Sequence, residues 1–259
     1  MGRVWALIEM EARRLLKFPV VELIAIPAVF YIFRGLMSFD ESRTFIGLVE
    51  PGSLQGLLRE VAGSLIVRGL ISILGSYTFI SFIYAALTSS IARDISTGYM
   101  RFLLSQPFRR SEVFVAKLIV SFLTPLIVYF SVYSISIVAV GGLIVVFMNL
   151  LNLVIGYVIV LTLFLYVFSI CLCITLITKE AITSLISSLL FLYGVEYTVR
   201  MMKNHPVQYF IPSMCLWNFL VRMHCAESTL PWLSVIVPLV LSIALIAICY
   251  IYFTKRLEV

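Results

Sequence analysis

A 259-residue chain in which 62% of the side chains are hydrophobic, 12% are charged and the mean hydropathy is +1.09 is not an ordinary soluble domain. Soluble domains run at roughly 45–50% apolar and about 25% charged residues. The stretches between apolar runs are shorter than the roughly 40 residues that a small domain needs to fold alone. Residues 1–259 are therefore predicted to form a single all-α membrane domain, and any large soluble machinery belongs to another chain.

The first 18 residues read as an amphipathic helix lying in the membrane interface. At about 100° per residue, Val4, Trp5, Ile8, Ala12, Leu15 and Leu16 share one arc, and Arg3, Glu9, Arg13, Arg14 and Lys17 lie mostly opposite. Glu11 is the exception on the apolar face. A cleaved signal peptide is not expected, because no small-residue cleavage site follows a short apolar core. The plainer alternative is a basic topogenic segment that happens to be helical.

Six spans of about 20 apolar residues are predicted: Val20–Met37, Gly69–Ala92, Leu118–Gly142, Leu153–Thr178, Ala181–Val199 and Pro231–Thr254. Between Lys117 and Lys179 lie 61 residues without a charge. That length holds two spans and a turn, placed at Gly141, Gly142, Asn149 and Asn152. Pro27, Pro125 and Pro238 are expected to kink spans one, three and six. Glu22 and Arg34 are read as snorkelling to the interface, and Glu196 as lining a solvent-facing cavity or pairing with Arg200. Cys171, Cys173 and Cys249 are read as small apolar packing residues.

With this layout twelve Lys and Arg residues fall on one side and six on the other. Basic loops stay cytoplasmic, so both termini are predicted to be cytoplasmic in a multi-pass chain of the plasma membrane. The net charge of +6 and pI near 9.1 then reflect topology and contact with anionic lipid, and nucleic acid is not an expected partner.

Residues 93–117, between spans two and three, carry the most information. Ile95, Tyr99, Phe102 and Leu103 recur at helical spacing, and Pro107 stops the run. A short amphipathic helix is predicted there, followed by a turn with Arg109 and Arg110 and a new helix starting near Ser111. The order Asp94, Gly98, Leu103–Leu104, Ser105-Gln106-Pro107, Arg109–Arg110, Glu112 and Lys117 resembles the cytoplasmic loop of ABC-2 type transporter permeases. This sequence departs from the family's common pattern in having Asp94 for Glu and Tyr99 for Thr.

The resemblance implies a six-span permease subunit of an ATP-driven exporter. It would pair with a second permease subunit, identical or related, and with two copies of a separate ATP-binding subunit. It also implies that the loop's coupling helix docks on that ATPase through Asp94, Ile95, Gly98, Tyr99, Arg101 and Phe102, with Pro107, Arg109, Arg110 and Glu112 forming the turn. The chain itself has no G-x-x-x-x-G-K-[ST] loop, so ATP and Mg²⁺ are expected on the partner and no cofactor on this chain. Neither a His-Glu-x-x-His sequence nor a Gly-x-Ser-x-Gly elbow occurs, and no catalytic or metal-ligating residues are assigned.

The external loop, 200–230, contains Val207–Pro212 and Met214–Val221, apolar runs too short to span. They read as re-entrant helices, with Pro206, Phe210, Pro212 and Trp217 as external gate candidates; interfacial helices without a gating role are the alternative. His205, Cys215, His224 and Cys225 lack the spacing of a compact metal motif, and a Cys215–Cys225 disulfide needs an oxidising face, so ordinary packing is favoured. Two other functions remain open on the sequence: a membrane scaffold or assembly factor, and an ion-coupled carrier or intramembrane enzyme. The latter finds few buried acids and no intramembrane His to work with.

Overall fold

The computed structural model describes residues 2–15, 20–37, 66, 68–73, 75–148, 150–201 and 232–255. The gate candidates Pro206, Phe210, Pro212 and Trp217, together with His205, Cys215, His224 and Cys225, lie outside these residues. The described elements are all helical: α1 (Gly2–Leu15), α2 (Val20–Met37), α3 (Tyr77–Ser96), α4 (Tyr99–Ser105), α5 (Arg110–Met148), α6 (Leu150–Thr178), α7 (Ala181–Met201) and α8 (Leu233–Lys255). Residues 68–73 form a further short helical piece ahead of α3.

Among the described residues four helices are long and apolar enough to cross a membrane: Arg110–Val140, Leu153–Thr178, Ala181–Thr198 and Val235–Lys255. They coincide with predicted spans three to six. The chain is thus a helical protein built to be embedded in a membrane. The first predicted span is helix α2, which joins this set only as a pair with α1 bent by 72°, so the two make no straight crossing together. The second is broken at Gly75–Ser76, where the Ser76 amide and hydroxyl both bond the Ile73 carbonyl. Its helix α3 runs past Ala92 to Ser96, and its apolar positions are interspersed with Tyr77, Ser81, Tyr84, Thr88, Ser89 and Ser90.

Helix α6 is the centre of the bundle. Helices α3, α7 and α8 pack on it, while α1 and α2 pack on α5. Lipid chains are as apolar as the helices, so association here depends on close packing and satisfied polar groups rather than on hydrophobic burial. Aromatic rings supply much of it. Tyr84 of α3 meets Phe164 and Phe168 of α6 edge-on at 5.6 Å each, and Phe122 of α5 lies 5.3 Å from Phe168. The Tyr84 hydroxyl donates to the Phe122 carbonyl at 3.2 Å, which satisfies the polar end of a fully buried ring.

Two glycines allow the 68–73 segment to wedge between α5 and α6. A Cβ on Gly69 would lie 2.6 Å from the Tyr133 ring, and one on Gly156 would lie 2.5 Å from the Leu70 side chain. Tyr133 also donates to the Ile66 carbonyl at 3.0 Å, tying this segment to α5.

The predicted turn between spans three and four is a break within helical chain, at Gly142 with φ +73°. Between α6 and α7 two residues suffice. Lys179 takes a left-handed φ of +56°, its amide bonds the Thr175 carbonyl, and Thr175 and Ser184 share a buried hydroxyl contact at 2.7 Å. On α2, Ile24, Ala28, Ile32 and Leu36 form the buried stripe, whereas Glu22 and Arg34 are exposed along with Leu23, Ile26 and Phe30. Glu196 is buried on α7.

Candidate functional site

The loop between α3 and α5 departs from the single helix that its spacing predicts. Helix α3 ends when Thr97 and Gly98 turn back, their amides bonding the Arg93 and Ile95 carbonyls. Gly98 has φ +76°, a left-handed conformation that any other L residue adopts only at a cost. Ile95 therefore belongs to the end of α3, and α4 starts afresh at Tyr99. Gln106 returns the chain to an extended conformation ahead of Pro107, as that proline requires. Helix α5 begins at Arg110, one residue before the predicted start at Ser111. Glu112 reaches back to accept from the Arg109 amide at 2.9 Å, a capping bond that fixes Arg109 as the N-cap.

Behind α4 lies a buried ionic cluster drawn from three other helices. Arg14 of α1 grips Asp94 of α3 with both ends of its guanidinium, at 2.6 and 3.1 Å. Lys117 of α5 donates to the same carboxylate at 2.5 Å and to Glu11 of α1 at 2.8 Å. The side chains of Asp94, Lys117 and Glu11 are 2%, 4% and 5% exposed. Two carboxylates and two cations leave the cluster neutral, the condition under which burying charge is tolerable. The Asp94 hydrogen bond, reinforced by the charges of Asp94 and Glu11, pushes the Arg14 pKa up against the opposing effect of burial. Arg14 thus remains a cation throughout the physiological range.

The cluster also fixes an aromatic pair. The Arg14 guanidinium lies 4.6 Å from the centre of the Tyr99 ring, and Tyr99 stacks on Phe102 at 6.2 Å and 29°. Met100 and Leu103 of α4 point inward and are buried, while Phe102 is 59% exposed. The result is a short helix anchored from below that presents an exposed aromatic side chain stacked on Tyr99.

The six predicted coupling residues are divided by this arrangement. Arg101 and Phe102 face outward, Tyr99 and Ile95 are half-buried against the core, Gly98 makes the bend, and Asp94 points inward to partners within its own chain. In the turn, Pro107, Arg109 and Arg110 are exposed and Glu112 serves as the cap.

Helix α1 is likewise rotated from its apolar arc. Leu7 and Glu11 lie at the centre of the buried face, whereas Trp5 is 69% exposed. Glu11 and Arg14 were not among the expected site residues, nor was Lys117 outside its place in the loop motif. A carboxylate on the apolar face of an interfacial helix was the signal that could have found them, since a buried acid needs a buried cation.

Comparison with protein-family models, with curated proteins and with solved structures yields no match to this chain.

Proposed function

We propose that this chain is the membrane-spanning permease subunit of an ATP-driven transporter of the ABC-2 type, working as an exporter. Two such subunits, identical or related, form the pathway, and two separate subunits bind ATP and Mg²⁺. The chain crosses the plasma membrane six times with both termini cytoplasmic, and α4 is the coupling helix.

The observation that carries this reading is the clamped aromatic helix. Coupling requires that a force applied at α4 reach the membrane-crossing helices, and that the ATPase hold α4 differently in its nucleotide states. Asp94 joins the end of α3 to Arg14 of α1 and Lys117 of α5, so displacement of α4 is transmitted to three helices through one buried and one half-buried ion pair rather than lost in a slack loop. The outward face suggests what receives it. Arg93, Arg101 and Arg109 are exposed in the same stretch of chain as exposed Phe102 and Pro107, a composition suited to an apolar socket with an acidic rim. The stacking of Phe102 on Tyr99, itself covered by Arg14, favours a protein partner, since a fluid lipid surface needs no defined arrangement of rings.

The test is purification of the tagged chain from its own membranes with its associated proteins. An ATPase should co-purify stoichiometrically, and its recovery should fall with Phe102→Ala. A partner that hydrolyses no ATP would favour a scaffold, and transport driven by an ion gradient without ATP would overturn the reading.

A further inference from the structure

Near the ends of α6 and α8 two thiols face each other across the helix interface. Cys173 Sγ lies 2.8 Å from Cys249 Sγ, and Cys173 also approaches the Leu245 carbonyl at 3.9 Å. Cys173 is six residues from Lys179 and Cys249 six residues from Lys255, so both sit at the same depth, about 9 Å along the helix from its charged end. Cys171, two residues away, projects from the opposite side of α6 and is fully buried.

We propose that Cys173 and Cys249 form an intramembrane oxidation site, converted to a disulfide by a lipid-soluble hydroperoxide. The sulfur separation exceeds a disulfide bond of about 2.05 Å by only about 0.8 Å, so the two sulfurs already lie within reach of one another. The exposure of the two thiols sets the order of events. Cys249 is buried, whereas Cys173 is partly exposed, and both lie within the apolar segments of helices built to sit in lipid. An oxidant arriving through the bilayer therefore meets Cys173 first.

The chemistry balances in two steps. The Cys173 thiol is oxidised by the hydroperoxide to a sulfenic acid as the O–O bond breaks, releasing the corresponding alcohol. The Cys249 sulfur then attacks the sulfenic sulfur, the S–S bond forms, and water leaves with the thiol proton. Two thiols and one hydroperoxide give one disulfide, one alcohol and one water. The product fastens α6, the centre of the bundle, to α8. This oxidation chemistry stands whether or not the chain is a permease; only an effect of the crosslink on transport rests on that reading.

The experiment oxidises the intact chain in its membranes with cumene hydroperoxide, blocks remaining thiols with N-ethylmaleimide, and maps peptides without reduction. Trypsin leaves Cys171 with Cys173 and Cys225 with Cys249, so the Cys171→Ser/Cys225→Ser background is used. A Cys173–Cys249 linked peptide is expected to rise at least tenfold over untreated membranes and to vanish in Cys173→Ser. Should that variant fail to fold, fragmentation of the linked peptides 118–179 and 223–255 from the unsubstituted chain still decides, because breaks between Cys171 and Cys173 and between Cys225 and Cys249 place the crosslink. Linkage through another cysteine, or oxidation of Cys173 to sulfinic acid while Cys249 stays alkylatable, would overturn the proposal.

Discussion

Lys117 and Glu11 are 106 positions apart in the chain and meet at 2.8 Å, with both side chains removed almost wholly from solvent. Lys117 is also bonded to Asp94, so replacing it by Met leaves one buried carboxylate without its cation and weakens the neutralisation of the other. Breaking a buried pair from one side costs about 3–5 kcal/mol. Lys117→Met is expected to lower the thermal unfolding midpoint of the detergent-purified chain sharply. Glu11→Leu combined with Lys117→Met is expected to recover part of that loss, because Asp94 keeps both bonds from Arg14. Additive losses in this double-mutant cycle would show that the pair is not coupled.

Arg14 does two jobs that a lysine cannot do together, gripping Asp94 at both oxygens and covering the Tyr99 ring. Arg14→Lys is expected to weaken partner recovery at moderate ionic strength while leaving the chain folded. Tyr99→Phe keeps the ring and should retain recovery, whereas Tyr99→Ala removes the stacking platform for Phe102 and should not. Because the Arg14 pKa is raised, its charge and grip are fully present below the ordinary arginine pKa. Arg14 therefore predicts no change in recovery between pH 6 and pH 9.

If α4 docks on a partner as proposed, Phe102 and Arg101 are expected to contribute to association rather than to folding. Phe102→Ala is expected to weaken partner binding by about tenfold or more, as loss of a central aromatic anchor does. The unfolding midpoint should stay within error of the parent's, since the ring is largely exposed. Arg101→Glu should weaken binding to the proposed partner most at low salt, with the difference shrinking as salt screens the charges. Pull-down of the partner over a salt series measures both.

The glycines separate two kinds of cost. At Gly98 an added methyl meets nothing within 4 Å, so Gly98→Ala carries only the strain of φ +76°, about 1–2 kcal/mol. Gly98→Asn should recover part of that, because Asn tolerates the left-handed region better. At Gly69 the same methyl would meet the Tyr133 ring at 2.6 Å, so the ring or the 68–73 segment would have to shift. Gly69→Ala is expected to cost about 1–3 kcal/mol, with no relief from Asn. Comparing the unfolding midpoints of the four variants tests both assignments.

Local chemistry was legible in the sequence. Composition and the long uncharged block marked a helical membrane chain, and the four apolar helices lie where runs of about 20 residues placed them. The block around Pro107 also marked a break between helices. The helix predicted from the spacing of Ile95, Tyr99 and Phe102 is divided, because periodicity counts apolar positions and does not register that Gly98 has turned the chain. Helix α1 was assigned its apolar arc but not its orientation, since Trp5 and Leu7 read alike until a neighbouring helix covers one of them.

Hydropathy and spacing are properties of a few consecutive residues, and they suffice to determine where this chain forms apolar helices. Which charges meet is a different kind of fact. Arg14 and Asp94 are 80 positions apart and Glu11 and Lys117 are 106 apart. Only the packing of α1, α3 and α5 decides that these four side chains share one site, in which Glu11, Asp94 and Lys117 are buried and Arg14 closes the solvent side. Burial then makes their pairing obligatory, because in a low-dielectric interior each charge needs the others near it.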